Sequence, residues 1–171
     1  MSSITTPAQW NLRIQHQYEE MCHFPINSLF SWKVDEGQNP PTVRSYLVTY
    51  RIKTMVMDHG RLKPQFKTVV RIRLPESPDR DPTAHVVEGL VPYHPNWYDN
   101  GRLCNGDMWV KDPILWKYVL KIGHTLAFDP GFTNIHSPAN SKANADWIAK
   151  MNRRIKPYPC GKTDFPHPIG M

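Results

Sequence analysis

The sequence has 171 residues, enough for one domain with a substantial core, and it contains no apolar run of about 18 residues that could cross a membrane. Its net charge of +6 favours an acidic partner surface or nucleic acid without deciding between them. The sequence has three widely spaced cysteines, so we expect neither a disulfide framework nor paired metal ligands. The polar residues 1–9 have neither the basic start nor the apolar middle of a secretory signal, so we expect a cytoplasmic protein.

The first predicted element is an amphipathic helix over residues 8–24. Apolar side chains recur there at helical spacing, and polar side chains such as Arg13 and Gln17 fill the other faces. Cys22 falls on the apolar face. It is therefore expected to be an inert core cysteine, since cysteine is among the most commonly buried residues.

Four strands are predicted next, each rich in β-branched or aromatic residues. Turn signals join sequential strands, so an antiparallel meander is the simplest connection. The predicted strands cover residues 29–34, 45–57, 66–74 and 85–87, with turns at 38–41 and 58–61.

Two helices are predicted after a loop that carries Cys104. The first covers residues 113–128 and begins with Pro113, which suits the first turn of a helix. The second is capped by Ser137 or a neighbour and runs to about residue 154. Residues 156–171 are rich in proline and are predicted to form an irregular tail, which leaves residues 1–155 as the domain. The chain is therefore expected to be an α+β domain.

One short segment has the residues that acyl-transfer chemistry needs. His94, Pro95 and Asn96 are followed, after an aromatic pair and Gly101, by Cys104. Cysteine chemistry on an acyl group requires a nucleophilic sulfur, and it gains from a hydrogen-bond donor aimed at the oxyanion. Cys104 lies among polar residues, where full burial would be costly, and Asn96 can be the donor.

This segment resembles the active-site signature of ubiquitin-conjugating enzymes, which carry a ubiquitin-like modifier as a thioester. The similarity extends over roughly residues 8–154 and is strongest from 92 to 147. Further matches, in the same order as in that family, are a proline-rich approach (Pro75, Pro78, Pro82), Trp109, Pro113, Asp129-Pro130 and residues 137–145.

The resemblance implies the fold of that family, called the UBC fold, with an N-terminal helix, a four-stranded antiparallel meander, an active-site loop and two C-terminal helices. In that family the fold commonly ends in two further helices after the gate region that precedes the last long helix, and only one is evident here before the proline-rich tail. In this respect the chain is similar to bacterial members, which belong to ubiquitin-like conjugation systems of the Bil type, linked with defence against phage.

The resemblance also implies roles for the central residues. Cys104 would accept the modifier as a thioester from an activating enzyme, and Asn96 would stabilise the oxyanion when a target amine attacks. His94 resembles a strut that holds the loop more than it resembles a base. No cofactor is implied, because the activating enzyme consumes the ATP, and the implied partners are a ubiquitin-like modifier, an activating enzyme and a protein target.

Two more sets of residues follow from the same resemblance. The family often places an acidic or hydroxyl side chain in a gate segment before the last helix, here residues 133–137. His136 and Ser137 are the gate candidates, and Asp107 is a third. One face of the first helix meets the activating enzyme in the family, which makes Arg13 and Gln17 candidates for that contact.

Two other functions remain open at this point. The chain could be a non-catalytic binding module or adaptor with the same fold. It could instead be an unrelated cysteine acyl-transfer enzyme or hydrolase, which should pair a histidine base with the thiol; His94, His124 and His136 are the available bases. Nucleic-acid binding is not expected, because the aromatic residues lie at core spacing and not along the basic runs. No metal site is expected either.

Overall fold

The computed structural model describes residues 5–110, 113–152, 158–161 and 164–168. These residues form three α-helices, six strands and one turn of 3-10 helix. The helices are α1 (Pro7–His23), α2 (Leu115–Leu126) and α3 (Ser141–Asn152), and the 3-10 turn is Pro130–Phe132. The strands are β1 (Phe30–Val34), β2 (Ser45–Tyr50), β3 (Thr54–Asp58), β4 (Arg61–Gln65), β5 (Thr68–Arg73) and β6 (Thr83–Glu88).

Four of the strands form an antiparallel sheet in the order β1-β2-β5-β6. Val48 of β2 pairs with Trp32 of β1 on one side and with Val70 of β5 on the other. Because side chains alternate along a strand, this register directs one apolar set from each strand to the same face. The predicted α+β class, with three helices and a four-stranded antiparallel sheet, is confirmed.

The second strand is shorter than predicted, and the chain contains a hairpin that the sequence pattern did not reveal. β2 ends at Tyr50, and residues 54–58 belong to β3, which pairs with β4 in a separate two-stranded sheet. The turn between β3 and β4 consists of His59 and Gly60, with φ values of 46° and 76°. Two positive φ values are typical of the type I′ turn that closes a two-residue hairpin. The prediction of one strand over 45–57 is wrong, because the chain leaves the four-stranded sheet at residues 51–53. The strand β4 was missed because, with Pro64 in its middle, it does not have a strand-like sequence.

Helix α1 begins with a capping box, in which Thr6 and Gln9 each accept a backbone N–H of the other. Its core stripe contains Trp10, Ile14, Gln17 and Met21, which follow helical spacing. Cys22 lies one position beyond this stripe and is exposed, so the prediction of a buried Cys22 is wrong.

Gln17 is only 5% exposed, so the prediction that it lies on an exposed face is also wrong. Its side-chain oxygen accepts the backbone N–H of Leu115 at 2.6 Å, and its nitrogen donates to the Pro113 carbonyl at 3.1 Å. A helix begins with backbone N–H groups that have no partner within the helix. Gln17 therefore joins α1 to the start of α2 instead of facing a partner protein.

Helices α1 and α2 share one core cluster with the inward face of the sheet. Tyr50 of β2 is fully buried, and its hydroxyl donates to the Val119 carbonyl of α2 at 2.8 Å. Helix α2 is two residues shorter at each end than the predicted 113–128. No helix among the described residues has the length and apolar character needed to cross a membrane.

The cap of α3 is Asn140, whose side-chain oxygen accepts the Ala143 N–H at 2.9 Å. The helix therefore begins about three residues after the predicted cap at Ser137, whereas the predicted end near residue 154 lies outside the described residues. The described parts of the tail, 158–161 and 164–168, contain no helix or strand, yet Tyr158 and Phe165 are buried. The domain boundary at residue 155 stays a prediction.

Candidate active site

The loop between β6 and α2 folds back beside β6, which brings residues 96 and 104 together. Leu103 donates its N–H to the Ala84 carbonyl of β6 at 2.9 Å. Gly101 makes the reversal with a φ of 85°, a conformation that favours glycine. As a result the Cys104 N–H donates to the Asn96 carbonyl at 2.8 Å. Two residues that are eight positions apart in the sequence are therefore neighbours in the fold.

The side chain of Asn96 connects this loop to the turn before α3. It is 5% exposed, and its oxygen accepts the Asn134 N–H at 2.7 Å while its nitrogen donates to the Phe132 carbonyl at 2.8 Å. A primary amide has two N–H donors. Among the described residues, one of these donors is used on the Phe132 carbonyl.

His94 is fully buried and holds the loop from behind. Its Nδ1 accepts the Asn96 backbone N–H at 2.9 Å, so the ring proton lies on Nε2. Nε2 faces the hydroxyl oxygen of Thr133 at 3.3 Å, and that hydroxyl donates to the Asp129 carbonyl at 2.8 Å. Burial lowers the pKa of His94 to about 3, so the imidazole is neutral at physiological pH. This geometry suits a strut and not a base.

A cleft of about 660 Å³ contains both Asn96 and Cys104. Its other lining residues are 105–108, Lys121, 129, 131–134 and 167–168. Cys104 is half-buried.

Helix α2 holds the part of the loop that follows Cys104. The Tyr118 hydroxyl donates to the Asn105 side-chain oxygen, and the Asn105 nitrogen donates to the Pro82 carbonyl at 2.6 Å. Lys121 donates to the Met108 carbonyl at 2.6 Å. The walls of the cleft are therefore fixed by secondary structure on the side of Cys104.

The three gate candidates are placed differently. Asp107 lines the cleft. His136 and Ser137 are exposed and are not among its lining residues, and both donate their backbone N–H groups to the Asn134 side-chain oxygen, at 3.2 and 3.0 Å. Asn134, in the predicted gate segment, lies in the cleft and orders the residues that follow it.

Sequence reasoning assigned no site role to three cleft residues with ionisable side chains: Lys121, Asp129 and His167. Asp129 was noted only as part of the Asp129-Pro130 match, and no local motif marks Lys121 or His167. Arg13, a predicted contact for the activating enzyme, is exposed and donates to the Pro113 carbonyl at 3.4 Å.

Two of the three histidines considered as bases for Cys104 have both ring nitrogens directed elsewhere. His94 is occupied by Asn96 and Thr133. His124 places Nδ1 3.0 Å from an Asp129 carboxylate oxygen and donates from Nε2 to the Pro166 carbonyl at 3.0 Å. The third, His136, lies outside the cleft lining. This arrangement disfavours a cysteine hydrolase that uses one of these histidines. In the described part of the chain, no group of three His, Cys, Asp or Glu side chains could hold a metal ion.

Comparison with known proteins gives a match at the level of the fold. No protein family and no curated protein matches the sequence. The structure is similar to the E2 domain of a Toxoplasma gondii ubiquitin-conjugating enzyme, with a TM-score of 0.53 and 14% identity over 88% of this chain and 94% of that one. A ubiquitin-conjugating enzyme E2 from Plasmodium falciparum matches with a TM-score of 0.43 and 18% identity over 64% of this chain and 93% of that one.

At 14% identity, the Toxoplasma match shows the fold alone. The chain has the UBC fold, the fold of ubiquitin-conjugating E2 domains.

Proposed function

We propose that this protein is a conjugating enzyme for a ubiquitin-like modifier and that Cys104 carries the modifier as a thioester. The observation that supports this most directly is the pairing of Asn96 and Cys104 in one cleft, joined by the backbone hydrogen bond of 2.8 Å. The UBC fold supports the same general function, because its solved representatives include E2 domains.

The first step is a thioester exchange. The Cys104 sulfur bonds to the terminal carbonyl carbon of the modifier, and the bond from that carbon to the activating enzyme's cysteine sulfur breaks. The proton from Cys104 ends on the departing sulfur. Thiolates are nucleophilic enough for this exchange without strong activation. No cofactor is needed here, since the ATP is consumed when the activating enzyme is charged.

The second step transfers the modifier to a target. A target amine bonds to the same carbonyl carbon, the carbon–sulfur bond to Cys104 breaks, and the amine proton passes to solvent or to the departing thiolate. The second N–H of Asn96 donates to the oxyanion formed on the way, and losing such a donor typically costs about 10² to 10³ in rate. Asp107 is the gate candidate best placed to meet the amine, because it lines the cleft.

A loading assay tests the proposal. The protein is mixed with a candidate activating enzyme, its ubiquitin-like partner and ATP, and is then run on reducing and non-reducing gels. We expect a band shift that disappears with a thiol reductant. Cys104→Ala should accept nothing, and Cys104→Ser should trap an oxyester that resists the reductant. Cys22→Ala is the matched control, because Cys22 is exposed but lies on α1, and it should load normally. A fully active Cys104→Ala protein would end the proposal.

A non-catalytic binding module of the same fold is the second candidate. One observation favours it: the Asn96 side chain already has two structural hydrogen bonds in this state, to Phe132 and from Asn134. The same assay separates the two functions. No shift with a demonstrably charged activating enzyme would support the binding module.

The partners and setting are also proposals. Arg13 is the remaining exposed candidate for the activating-enzyme contact, since Gln17 is buried. A bacterial conjugation system with a role in phage defence rests on the sequence resemblance. Genes for an activating enzyme and a ubiquitin-like protein beside the gene for this chain would support that setting, and their absence would argue against it.

A further inference from the structure

The last described residues of the chain pack into the core. Phe165 is 4% exposed, and its ring lies 5.4 Å from the Phe30 ring and 6.0 Å from the Tyr50 ring. It occupies a notch at Gly123 of α2, where an added Cβ would come within 2.2 Å of the Phe165 ring. Only glycine at position 123 leaves room for this ring.

A second anchor joins the same segment to the cleft. His124 donates from Nε2 to the Pro166 carbonyl at 3.0 Å, and its Nδ1 lies 3.0 Å from the Asp129 carboxylate. Asp129 begins the 3-10 turn that carries Phe132, the hydrogen-bond partner of Asn96. Residues 164–168, which we call the tail segment, are therefore held against the turn that orients Asn96.

These anchors place the next two residues in the cleft that contains Cys104. His167 and Pro168 both line it. The His167 ring lies 4.9 Å from the His124 ring and 5.7 Å from the Phe132 ring. The cleft is thus lined both by the loop that carries Cys104 and by the tail segment.

We propose that the tail segment is a specificity-determining wall, which limits the size of the acceptor that can reach the thioester on Cys104. This inference rests on the proposed conjugating function. His167 and Pro168 take up room beside the turn that positions Asn96, so an acceptor must approach past them. A small nucleophile passes freely, whereas the bulk around a peptide-borne lysine meets the wall.

The first test measures how strongly the wall restricts access of bulky reagents to Cys104, and it needs no ubiquitin-like modifier. Cys104 of the full chain is alkylated with iodoacetamide, which is small, and with fluorescein maleimide, which is bulky. Mass spectrometry of the Cys104 peptide gives each rate separately from Cys22 and Cys160. The ratio of the bulky to the small rate cancels changes in thiol reactivity. We expect His167→Gly and Phe165→Ala to raise this ratio at least about tenfold, the discrimination that a small steric difference gives in a pocket.

Gly123→Ala should produce the same increase from outside the cleft, because its Cβ displaces Phe165. Ile148→Ala is the matched control, since Ile148 is an exposed apolar residue on α3, and its ratio should equal that of the wild type. His167 is exposed, so His167→Gly retains the folded core even if Phe165→Ala does not. An unchanged or lowered ratio in a folded His167→Gly protein would overturn the wall.

The second test measures acceptor choice. The loaded thioester is discharged with hydroxylamine and with a lysine-containing peptide, and the ratio of the two rate constants is compared between wild type and His167→Gly. Both proteins are loaded to completion before discharge, so a change in the loading rate does not enter the comparison, and we expect the variant to shift the ratio about tenfold toward the peptide. An unchanged ratio from fully loaded protein would overturn the specificity role alone. A wild-type protein that never loads would overturn the proposed function, and with it the acceptor role of the wall.

Discussion

Replacing Asn96 with alanine tests whether this side chain serves the chemistry or only the shape of the loop. The substitution removes the hydrogen bond to the Phe132 carbonyl and the one from the Asn134 N–H, at 2.8 and 2.7 Å. It leaves the backbone hydrogen bond from Cys104 to residue 96 in place. We expect Asn96→Ala to load Cys104 at nearly the wild-type rate and to discharge the thioester much more slowly.

The two effects of this substitution have separate magnitudes. Two lost hydrogen bonds at about 1 kcal/mol each predict a fall of about 2 kcal/mol in the free energy of unfolding. Loss of an oxyanion donor predicts a discharge rate about 10² to 10³ lower. A structural role alone would give the first effect without the second, provided that the variant remains folded.

Thr133→Val is the matched control. It also removes two hydrogen bonds of the same turn, with His94 and with the Asp129 carbonyl, and it leaves the Asn96 amide intact. Both variants are compared by chemical denaturation and by single-turnover discharge to lysine. Similar losses of stability with slow discharge in Asn96→Ala alone would support the oxyanion role. Equal slowing in both variants, or equal loss of loading and discharge in Asn96→Ala, would refute it and leave Asn96 as a support for the loop.

Three further predictions follow from the structure. In the unfolded chain His94 is protonated below a pH of about 6.5, whereas in the folded chain it is protonated only near the lowered pKa of about 3. The contribution of His94 to the free energy of unfolding is therefore present above pH 6.5 and is lost as the pH falls. In chemical denaturation between pH 6.5 and 5, the free energy of unfolding of the wild type should therefore fall by about 2 kcal/mol more than that of His94→Gln. Equal falls in the two proteins would contradict a buried, neutral His94 ring. Gln17→Ala should lower the free energy of unfolding by about 2 kcal/mol, since it leaves the Leu115 N–H unpaired, whereas Arg13→Ala should change it by less than about 0.5 kcal/mol. In the loading assay Arg13→Ala should raise the concentration of activating enzyme needed for half-maximal loading, and unchanged loading would remove Arg13 as a contact.

The elements that depend on local pattern were predictable from the sequence. Helical spacing of apolar residues located α1 and α2, because one buried stripe is enough to define the period. The third helix was predicted from a capping residue, which placed its start about three residues early. The motif from His94 to Cys104 indicated the position of the cleft, because two of its residues, Asn96 and Cys104, line it. The β3-β4 hairpin was missed because β4 has few strand-forming residues and is stabilised by pairing with β3.

Side-chain partners that come from distant parts of the chain were not predictable. Gln17 was expected on the surface because its side chain is polar, although its position falls in the buried stripe. Only the approach of α2 gives its amide buried hydrogen-bond partners. Cys22 was misplaced because a single step along a helix turns a side chain by about 100°, and the width of the buried stripe depends on what packs against it.

The sequence by itself determined the class of the fold, the order of its main elements and the residues with suitable chemistry, since these follow from local propensity, periodicity and residue type. Only the tertiary structure decided that Asn96 is hydrogen-bonded to the turn before α3, that His136 and Ser137 lie outside the cleft, and that His167 lines it. Those placements depend on contacts between segments tens of residues apart, where many pairings satisfy the same local pattern and packing selects one of them.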